Sequence, residues 1–174
     1  MINRDLFLKT DRLDLHPINQ DSRQQMMEIL YCNEIKQTYM IPDFESESEA
    51  EKMFNRFVQL SNDTQRVVYG VFLDNRLIGF FNQVNVENNT IEMGYVIHPD
   101  YKNNGYATEA FKAIISELFR IGFDTVRAGF FEENKASRRV MEKSGLKEIE
   151  FTEELEYRGI KHHCVYMEIK KSRV

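Results

Sequence analysis

The sequence predicts a mixed α/β domain, and three observations support this prediction. The chain has 174 residues, enough for one domain with a substantial core. Segments that alternate apolar and polar residues, typical of strands, are interspersed with segments of helical apolar spacing. Near the middle, an apolar strand, a polar loop with one glycine and a long amphipathic helix follow one another directly. We therefore expect one α/β domain over residues 1–174.

The first third of the chain predicts one strand and two helices. Residues 12–18 alternate in polarity and predict the strand. Asp21 is the expected N-cap of the first helix, and the acidic run at 45–51 indicates a capped start for the second, from Ser48. The apolar residues expected on the inner faces of these helices are Met26, Ile29, Leu30, Met53, Phe54, Phe57 and Leu60.

The next part of the chain predicts three antiparallel strands in a meander. Residues 67–73 and 77–84 are rich in β-branched and aromatic residues, and the turn residues 74–76 join them as a hairpin. Asn88 and Asn89 predict a second turn, which leads into a strand over residues 90–97.

The second half predicts a crossover connection and a final hairpin. A helix is expected over residues 108–122, with Gly122 as its C-terminal stop, followed by a strand over 126–131. A strand–helix–strand crossover of this length makes the two strands parallel and the connection right-handed. A short helix over 135–143 and two strands over 146–156 and 161–169 complete the order.

The polar loop at residues 101–108 indicates an anion site. It lies between a strand and a helix N-terminus, where unpaired N–H groups and the helix dipole favour negative charge. Gly105 lets the backbone approach a ligand closely, and Asn103 and Asn104 tolerate left-handed conformations. The loop therefore predicts binding of a phosphate-bearing molecule.

Composition excludes some classes of function. The net charge of −5 is unlike the basic face of a nucleic-acid-binding domain. Cys32 and Cys164 share no motif, which is typical of reduced thiols in a cytosolic protein. Residues 1–6 lack the apolar core of a signal peptide, and no apolar run is long enough to span a membrane. We expect a cytoplasmic protein without nucleic-acid or membrane partners.

The order of elements, the loop 102–107 and the run 134–146 together resemble the GNAT-type N-acetyltransferases, within them the branch of the ribosomal-protein N-terminal acetyltransferases. The resemblance covers nearly the whole chain from Leu6. It implies a central mixed sheet, splayed between the fourth and fifth predicted strands and flanked by about four helices. It also implies acetyl-coenzyme A (acetyl-CoA) as cosubstrate, with its pyrophosphate on the loop.

The resemblance assigns site residues one by one. Lys102, Gly105 and Ala107 occupy the places of the family's loop pattern, although the family has Gln or Arg where Lys102 stands. A lysine there loses a bidentate grip on phosphate, whereas the backbone N–H groups still serve. The residues expected to bind the cofactor are Tyr95, Val96, Ile97, Lys102, Asn103, Asn104, Gly105, Tyr106, Ala107, Thr108, Asn134 and Ser137.

The implied chemistry is attack of a neutral amine on a thioester, which needs a base, an oxyanion donor and an acid. The backbone N–H of Val96 or Ile97 is the expected oxyanion donor. Glu92 is the candidate base, acting through a water, and a plain sheet-face carboxylate or arginine partner is an equally good interpretation. Met141 stands where many relatives have a tyrosine acid, and methionine has no proton to donate.

Other residues carry weaker signals. Glu132 and Glu133 are secondary candidates for the base, and the run 162–164 (His-His-Cys) lacks metal-ligand spacing, so no metal site is expected. Residues 21–60, with the loop 39–44, are expected to wall the acceptor pocket.

The acceptor expected from the resemblance is a primary amine: a protein N-terminus, a polyamine or an amino sugar. A module that binds acyl-CoA without turnover is the alternative function, and a nucleotide-binding regulator is disfavoured because no Rossmann or P-loop pattern is present. The exposed edge of the C-terminal strands is compatible with a homodimer.

Overall fold

The computed structural model describes residues 2 and 4–172 and contains one eight-stranded mixed sheet flanked by five α-helices. The helices are α1 (Arg23–Tyr31), α2 (Asn33–Lys36), α3 (Glu47–Asn62), α4 (Tyr106–Arg120) and α5 (Lys135–Lys143). The strands are β1 (Leu8–Lys9), β2 (Asp14–His16), β3 (Val68–Leu73), β4 (Arg76–Glu87), β5 (Thr90–Ile97), β6 (Thr125–Phe131), β7 (Lys147–Tyr157) and β8 (Ile160–Lys170). This confirms the mixed α/β fold.

The strands lie in the order β1-β2-β3-β4-β5-β6-β8-β7. The expected meander is confirmed, because β3 pairs antiparallel with β4 and β4 with β5. The crossover through α4 is also confirmed, because β5 and β6 are parallel. Asp74, Asn75, Asn88 and Asn89 adopt positive φ angles in the two tight turns of the meander, as their side chains allow.

The sheet splays between β5 and β6. Their register has three pairs, which end at Glu92 opposite Arg127. Beyond this pair, β5 continues to pair with β4, and β6 continues to pair with β8. Within the described part of the chain, β5 and β6 no longer pair with each other there. The splay expected between the fourth and fifth predicted strands therefore lies between β5 and β6, since the short β1 adds one strand to the count.

Two apolar cores cover the two faces of the sheet. On one face α4 packs through Ala110, Phe111, Ile114 and Leu118, all fully buried. The opposite face is covered by α1 and α3, whose buried residues include Met26, Ile29, Leu30 and Phe54. Alternation along β5 places Ile91 and Met93 on the α4 face and Val96 on the other face. We call these the α4 face and the α1/α3 face.

Several expected boundaries are wrong. Asp21 lies inside a 3-10 turn before α1 and is not its N-cap; the residue before α1 is Ser22. The first strand is shorter than 12–18, because Pro17 lacks the N–H that would continue the ladder. The short elements β1 and α2 carry too little pattern to be recognised from sequence. The helix expected from Thr108 begins two residues earlier, at Tyr106, which matters for the site.

Candidate functional site

A cavity of about 300 Å³ opens where β5 and β6 diverge. Its lining comes from the end of β5, the loop after it, the first turn of α4, one face of α5 and the region of α2. The expected residues that line it are Tyr95, Val96, Ile97, Lys102, Asn103, Gly105, Tyr106, Ala107, Thr108, Asn134 and Ser137. The fold therefore brings both sequence motifs to one cavity. Asn104 and Glu92 are not part of its lining.

The loop before α4 presents backbone N–H groups. Asn103 and Gly105 have φ angles of 62° and 81°, so both are left-handed. Gly105 is the N-cap of α4, and no side chain caps the helix there. The amides of the first turn, at Tyr106, Ala107 and Thr108, have no intrahelical partner. Asn104 braces the loop instead of lining the cavity, since its amide donates to the carbonyls of Tyr101 and Lys102.

The start of α4 is held in place by the N-terminal part of the chain. The Glu109 carboxylate accepts hydrogen bonds from the Thr10 hydroxyl at 2.6 Å and the Arg12 backbone N–H at 2.9 Å, and it pairs with the Arg12 guanidinium. Burial would raise the Glu109 pKa, but these bonds lower it below its ordinary value. The Arg12 guanidinium also lies 4.5 Å from the ring centroid of Tyr106. These contacts preorganise the uncapped turn.

Lys102 has a carboxylate partner. Its Nζ lies 2.6 Å from Oε1 of Glu34, which is in α2. This ion pair crosses the rim of the cavity and joins α2 to the loop. Lys102 therefore contributes less free positive charge to an anion than its position in the loop suggests.

Two cations on α5 line the cavity, and the sequence motifs did not single them out. Arg139 and Lys143 are exposed at the surface and belong to the cavity lining. Neither is within 4 Å of a carboxylate in the described part of the chain. They are four residues apart, so they lie on one face of the helix. Val140 lines the same cavity between them. The four-residue spacing of the two cations around this residue is the sequence signal that could have identified them.

The free edge of β5 has a defined orientation. The His98 N–H donates to the Ile78 carbonyl on β4 at 2.8 Å, and the Val96 carbonyl also faces β4, close to Gly79. Backbone groups alternate in direction along a strand, so those of Tyr95 and Ile97 face the splay. Of the two expected oxyanion donors, the Ile97 N–H faces the cavity side, whereas the Val96 N–H faces β4.

The opposite wall of the splay is formed by α5. Asn134 is its N-cap and accepts a hydrogen bond from the Ser137 N–H at 3.1 Å. The Tyr95 hydroxyl donates to the Ser137 carbonyl at 3.2 Å, which links β5 to α5 across the cavity. Burial raises the Tyr95 pKa, so this phenol stays protonated. Met141, one turn further along, is buried in the core.

Glu92 lies at the closed end of the splay, where the pairing of β5 and β6 stops. Its side chain is on the α1/α3 face, the same face as Val96, by strand alternation. Burial raises the Glu92 pKa, the nearby Arg127 lowers it, and the Glu153 carboxylate adds to the rise. A carboxylate with a raised pKa is a better proton acceptor near neutral pH than an exposed one.

The region of α2 lines the mouth of the cavity on the α1/α3 face. Ile35, Thr38 and Tyr39, which lie within the expected wall of residues 21–60, belong to the lining of this cavity. The Tyr39 hydroxyl donates to Oδ1 of Asn82 at 2.6 Å. From the far side, the Tyr157 hydroxyl donates to the carbonyls of Tyr39 and Ile41 and so joins the β7–β8 hairpin to this wall.

The other candidate groups are poorly suited to catalysis. The pKa of Glu133 is lowered by its own backbone amide and by His162, which weakens it as a base. Burial and neighbouring carboxylates raise the pKa of Cys164 to about 11, so its thiol is a poor nucleophile. Residues 2 and 4–172 contain no group of three or more His, Cys, Asp or Glu side chains that could hold a metal ion. Among the same residues, no helix has the length and apolar character needed to cross a membrane.

Comparison with known proteins identifies the family. The profile of the Acetyltransferase (GNAT) domain matches residues 12–147. Over 143 residues the chain is 28% identical to the uncharacterized N-acetyltransferase YoaA of Bacillus subtilis (strain 168), covering 79% of this chain and 81% of that protein.

Solved structures share the fold. One is a GNAT-family acetyltransferase from Bacillus anthracis, with a TM-score of 0.81 at 24% identity. The match covers 94% of this chain and 98% of that protein. A ribosomal-protein α-N-acetyltransferase RimL in complex with coenzyme A has a TM-score of 0.81 at 16% identity, with coverage of 94% and 97%. Because the domain profile matches residues 12–147, which is most of the chain, the chain belongs to the GNAT family of acetyltransferases, as its motifs predicted.

Proposed function

We propose that this protein transfers the acetyl group of acetyl-CoA to a primary amine bound on the α1/α3 face, with both substrates present together. The observation that carries the proposal is the single cavity in which the uncapped start of α4, the free edge of β5 and the start of α5 meet. Acetyl-CoA supplies an activated thioester carbonyl. The chain's own residues must hold this cosubstrate, orient the carbonyl and remove a proton from the amine.

The diphosphate would lie against the loop and the first turn of α4. The N–H groups from Asn103 to Thr108 face an anion there, and each charged hydrogen bond contributes about 1.5–3 kcal/mol. Gly105 has room for this approach, since the nearest atom to a Cβ placed on it is an Arg12 guanidinium nitrogen at 3.5 Å. Arg139 and Lys143 would supply the positive charge that the Glu34 ion pair takes from Lys102.

The amide-bearing arm of the cosubstrate would pair with the free edge of β5. Tyr95 presents both its N–H and its carbonyl to the splay, which is the arrangement that an added strand requires. Asn134 and Ser137 would contact the arm from α5. We assign the oxyanion contact to the Ile97 N–H, because the Val96 N–H faces β4.

Glu92 is the proposed base. The acceptor amine reaches the splay from the α1/α3 face, where the Glu92 side chain lies, and a bridging water would carry the proton across the remaining gap. Its raised pKa keeps it a competent acceptor near neutral pH. The acceptor is a protein N-terminus or a small amine; the RimL neighbour acts on a protein α-amine.

The test is Glu92→Gln, measured with saturating acetyl-CoA. We expect kcat to fall about a hundredfold or more, because general-base catalysis contributes on this scale. In the wild type, kcat should fall as the pH drops through the raised Glu92 pKa, since the protonated carboxyl accepts no proton. Arg127→Gln removes the influence that lowers this pKa, so the fall should move to higher pH.

Glu87→Gln is the matched control, because it removes an exposed carboxylate from the end of the neighbouring strand β4. Its kcat and pH profile should equal those of the wild type. An unchanged pH profile in Glu92→Gln would exclude Glu92 as the base.

One observation favours a second candidate, a module that binds acyl-CoA without turnover. Met141 is 1% exposed and offers no proton to a leaving thiolate. Release of free thiol from acetyl-CoA, followed across a panel of primary amines, distinguishes the two. Tight binding of acetyl-CoA with no release for any amine would support the module.

A further inference from the structure

A second cavity, of about 290 Å³, lies on the α1/α3 face between α3 and strands β3 and β4. Its lining combines an apolar floor with two guanidinium groups and two amides. The residues are Met53, Arg56, Phe57, Leu60, Arg66, Val68, Asn82 and Gln83.

The arginines of this cavity differ from most others in the chain. Arg12, Arg23, Arg76, Arg120, Arg127, Arg138 and Arg158 each pair with a carboxylate. Arg56 donates one hydrogen bond, to the Gln59 amide oxygen, and neither Arg56 nor Arg66 has a carboxylate within 4 Å in the described ranges. Among the described residues, the third exposed arginine without a carboxylate partner is Arg139, which lines the proposed diphosphate site. Guanidinium groups without a carboxylate partner beside a cavity are suited to an anionic ligand.

The second cavity adjoins the reacting strand. Asn82, in its lining, is the cross-strand partner of Gly94 on β5, and such partners have Cα atoms about 4.5–5.5 Å apart. Gly94 lies between Glu92 and Val96 on the same face. A Cβ on Gly94 would lie 3.2 Å from Asn82 and 3.3 Å from Tyr39, so glycine at this position lets both side chains pack directly against β5. The Tyr39–Asn82 hydrogen bond spans the boundary between the two cavities.

We propose that the second cavity binds the acceptor, and that the acceptor is a primary amine carrying an apolar group and an anionic group. This inference rests on the proposed function for the position of the amine. The anion meets Arg56 and Arg66, the apolar group lies on Phe57 and Leu60, and the body of the acceptor crosses Asn82. One to two strand spacings separate anion and amine, roughly 5–10 Å. A short peptide with a free N-terminus and a carboxylate has this form.

The test compares acceptors that differ in one charge. The dipeptide alanyl-phenylalanine and its C-terminal amide form one pair, and 4-aminobutyl phosphate and 4-aminobutanol form a second pair that separates phosphate from carboxylate. We expect the anionic member of at least one pair to have a KM about tenfold lower, the contribution of one charged hydrogen bond. The double variant Arg56→Gln/Arg66→Gln should abolish this preference, so that the two members of each pair have equal KM values.

Lys52→Gln is the matched control, since it removes an exposed positive charge one turn before Arg56 on α3. It should retain the preference for the anionic acceptor. Equal KM values within both pairs, or a preference that survives the double arginine variant, would overturn the proposal.

A binding measurement separates this inference from the proposed function. Calorimetric titration of the dipeptide and of the phosphate into the protein with coenzyme A requires no turnover. Binding of an anionic probe that is lost in the double arginine variant supports the site even if no amine is acetylated. Absence of binding by both anionic probes to the wild type, with acetylation of neutral amines intact, would refute the site and leave the acetyltransferase assignment standing.

Discussion

Helices α3 and α4 begin in opposite ways. The Ser46 side chain accepts a hydrogen bond from the Glu49 N–H at the start of α3, and Glu47 and Glu49 add negative charge to its first turn. At the start of α4, Gly105 has no side chain that could accept a capping hydrogen bond, and the first turn faces a cavity. Both helices are long and amphipathic, so the difference between them lies at their N-termini.

The comparison shows that the N-terminus of a helix can serve either to stabilise the fold or to bind a ligand. A capped turn satisfies its own N–H groups and stabilises the protein. An uncapped turn leaves those groups to a ligand, and α4 compensates with contacts from outside the helix, where Glu109 is held by Thr10 and Arg12. Substitutions at and around the two helix starts test this contrast, and the expected effect is largest at Gly105.

Gly105→Asp would convert the start of α4 into one like that of α3. The carboxylate would cap the free N–H groups and repel a diphosphate, so we expect the KM for acetyl-CoA to rise about a hundredfold, equivalent to two charged hydrogen bonds. Gly105→Asn is the control, because asparagine tolerates the positive φ without negative charge. If both variants raise the KM equally, the negative charge of the aspartate is not responsible for the rise.

Ser46→Ala would remove the cap of α3. The free energy of unfolding should fall by about 1 kcal/mol, the usual contribution of an N-cap hydroxyl. Chemical denaturation provides the measurement. The KM for acetyl-CoA should equal that of the wild type, since α3 lies outside the first cavity. A change in this KM would contradict the division between a structural and a ligand-binding helix start.

Arg139→Gln and Lys143→Gln would weaken the positive surroundings of the uncapped turn. Each should raise the KM for acetyl-CoA about threefold, because exposed charges contribute less than 1 kcal/mol. The effect should shrink at high salt, where exposed charges are screened. Lys112→Gln on the exposed side of α4 is the control and should leave KM unchanged.

Glu34→Gln would release Lys102 from its ion pair and give the loop one more free cation. We expect the KM for acetyl-CoA to fall about twofold, within the range of one surface ion pair. A steady-state titration of acetyl-CoA measures this change. A rise in KM would mean that the ion pair to α2 holds the loop in its binding conformation.

Local sequence patterns predicted most of the fold and, in the candidate site, the loop before α4. The turns at 74–75 and 88–89 and helix α5 were predictable because each depends on a few adjacent residues. The loop at 102–108 was predictable for the same reason. The start of α4 was placed two residues late, because Tyr106 and Ala107 carry no capping signal of their own.

The sequence by itself determined the family, most of the order of elements and the glycine-containing loop before α4, because periodicity and turn chemistry act over a few neighbouring residues. The tertiary structure alone decided that the Ile97 N–H and not that of Val96 faces the splay, since strand register depends on a partner strand. It also decided that Glu34 pairs with Lys102 and that Arg56 and Arg66 share a cavity with Asn82. Such contacts join distant parts of the chain, and only packing brings them together.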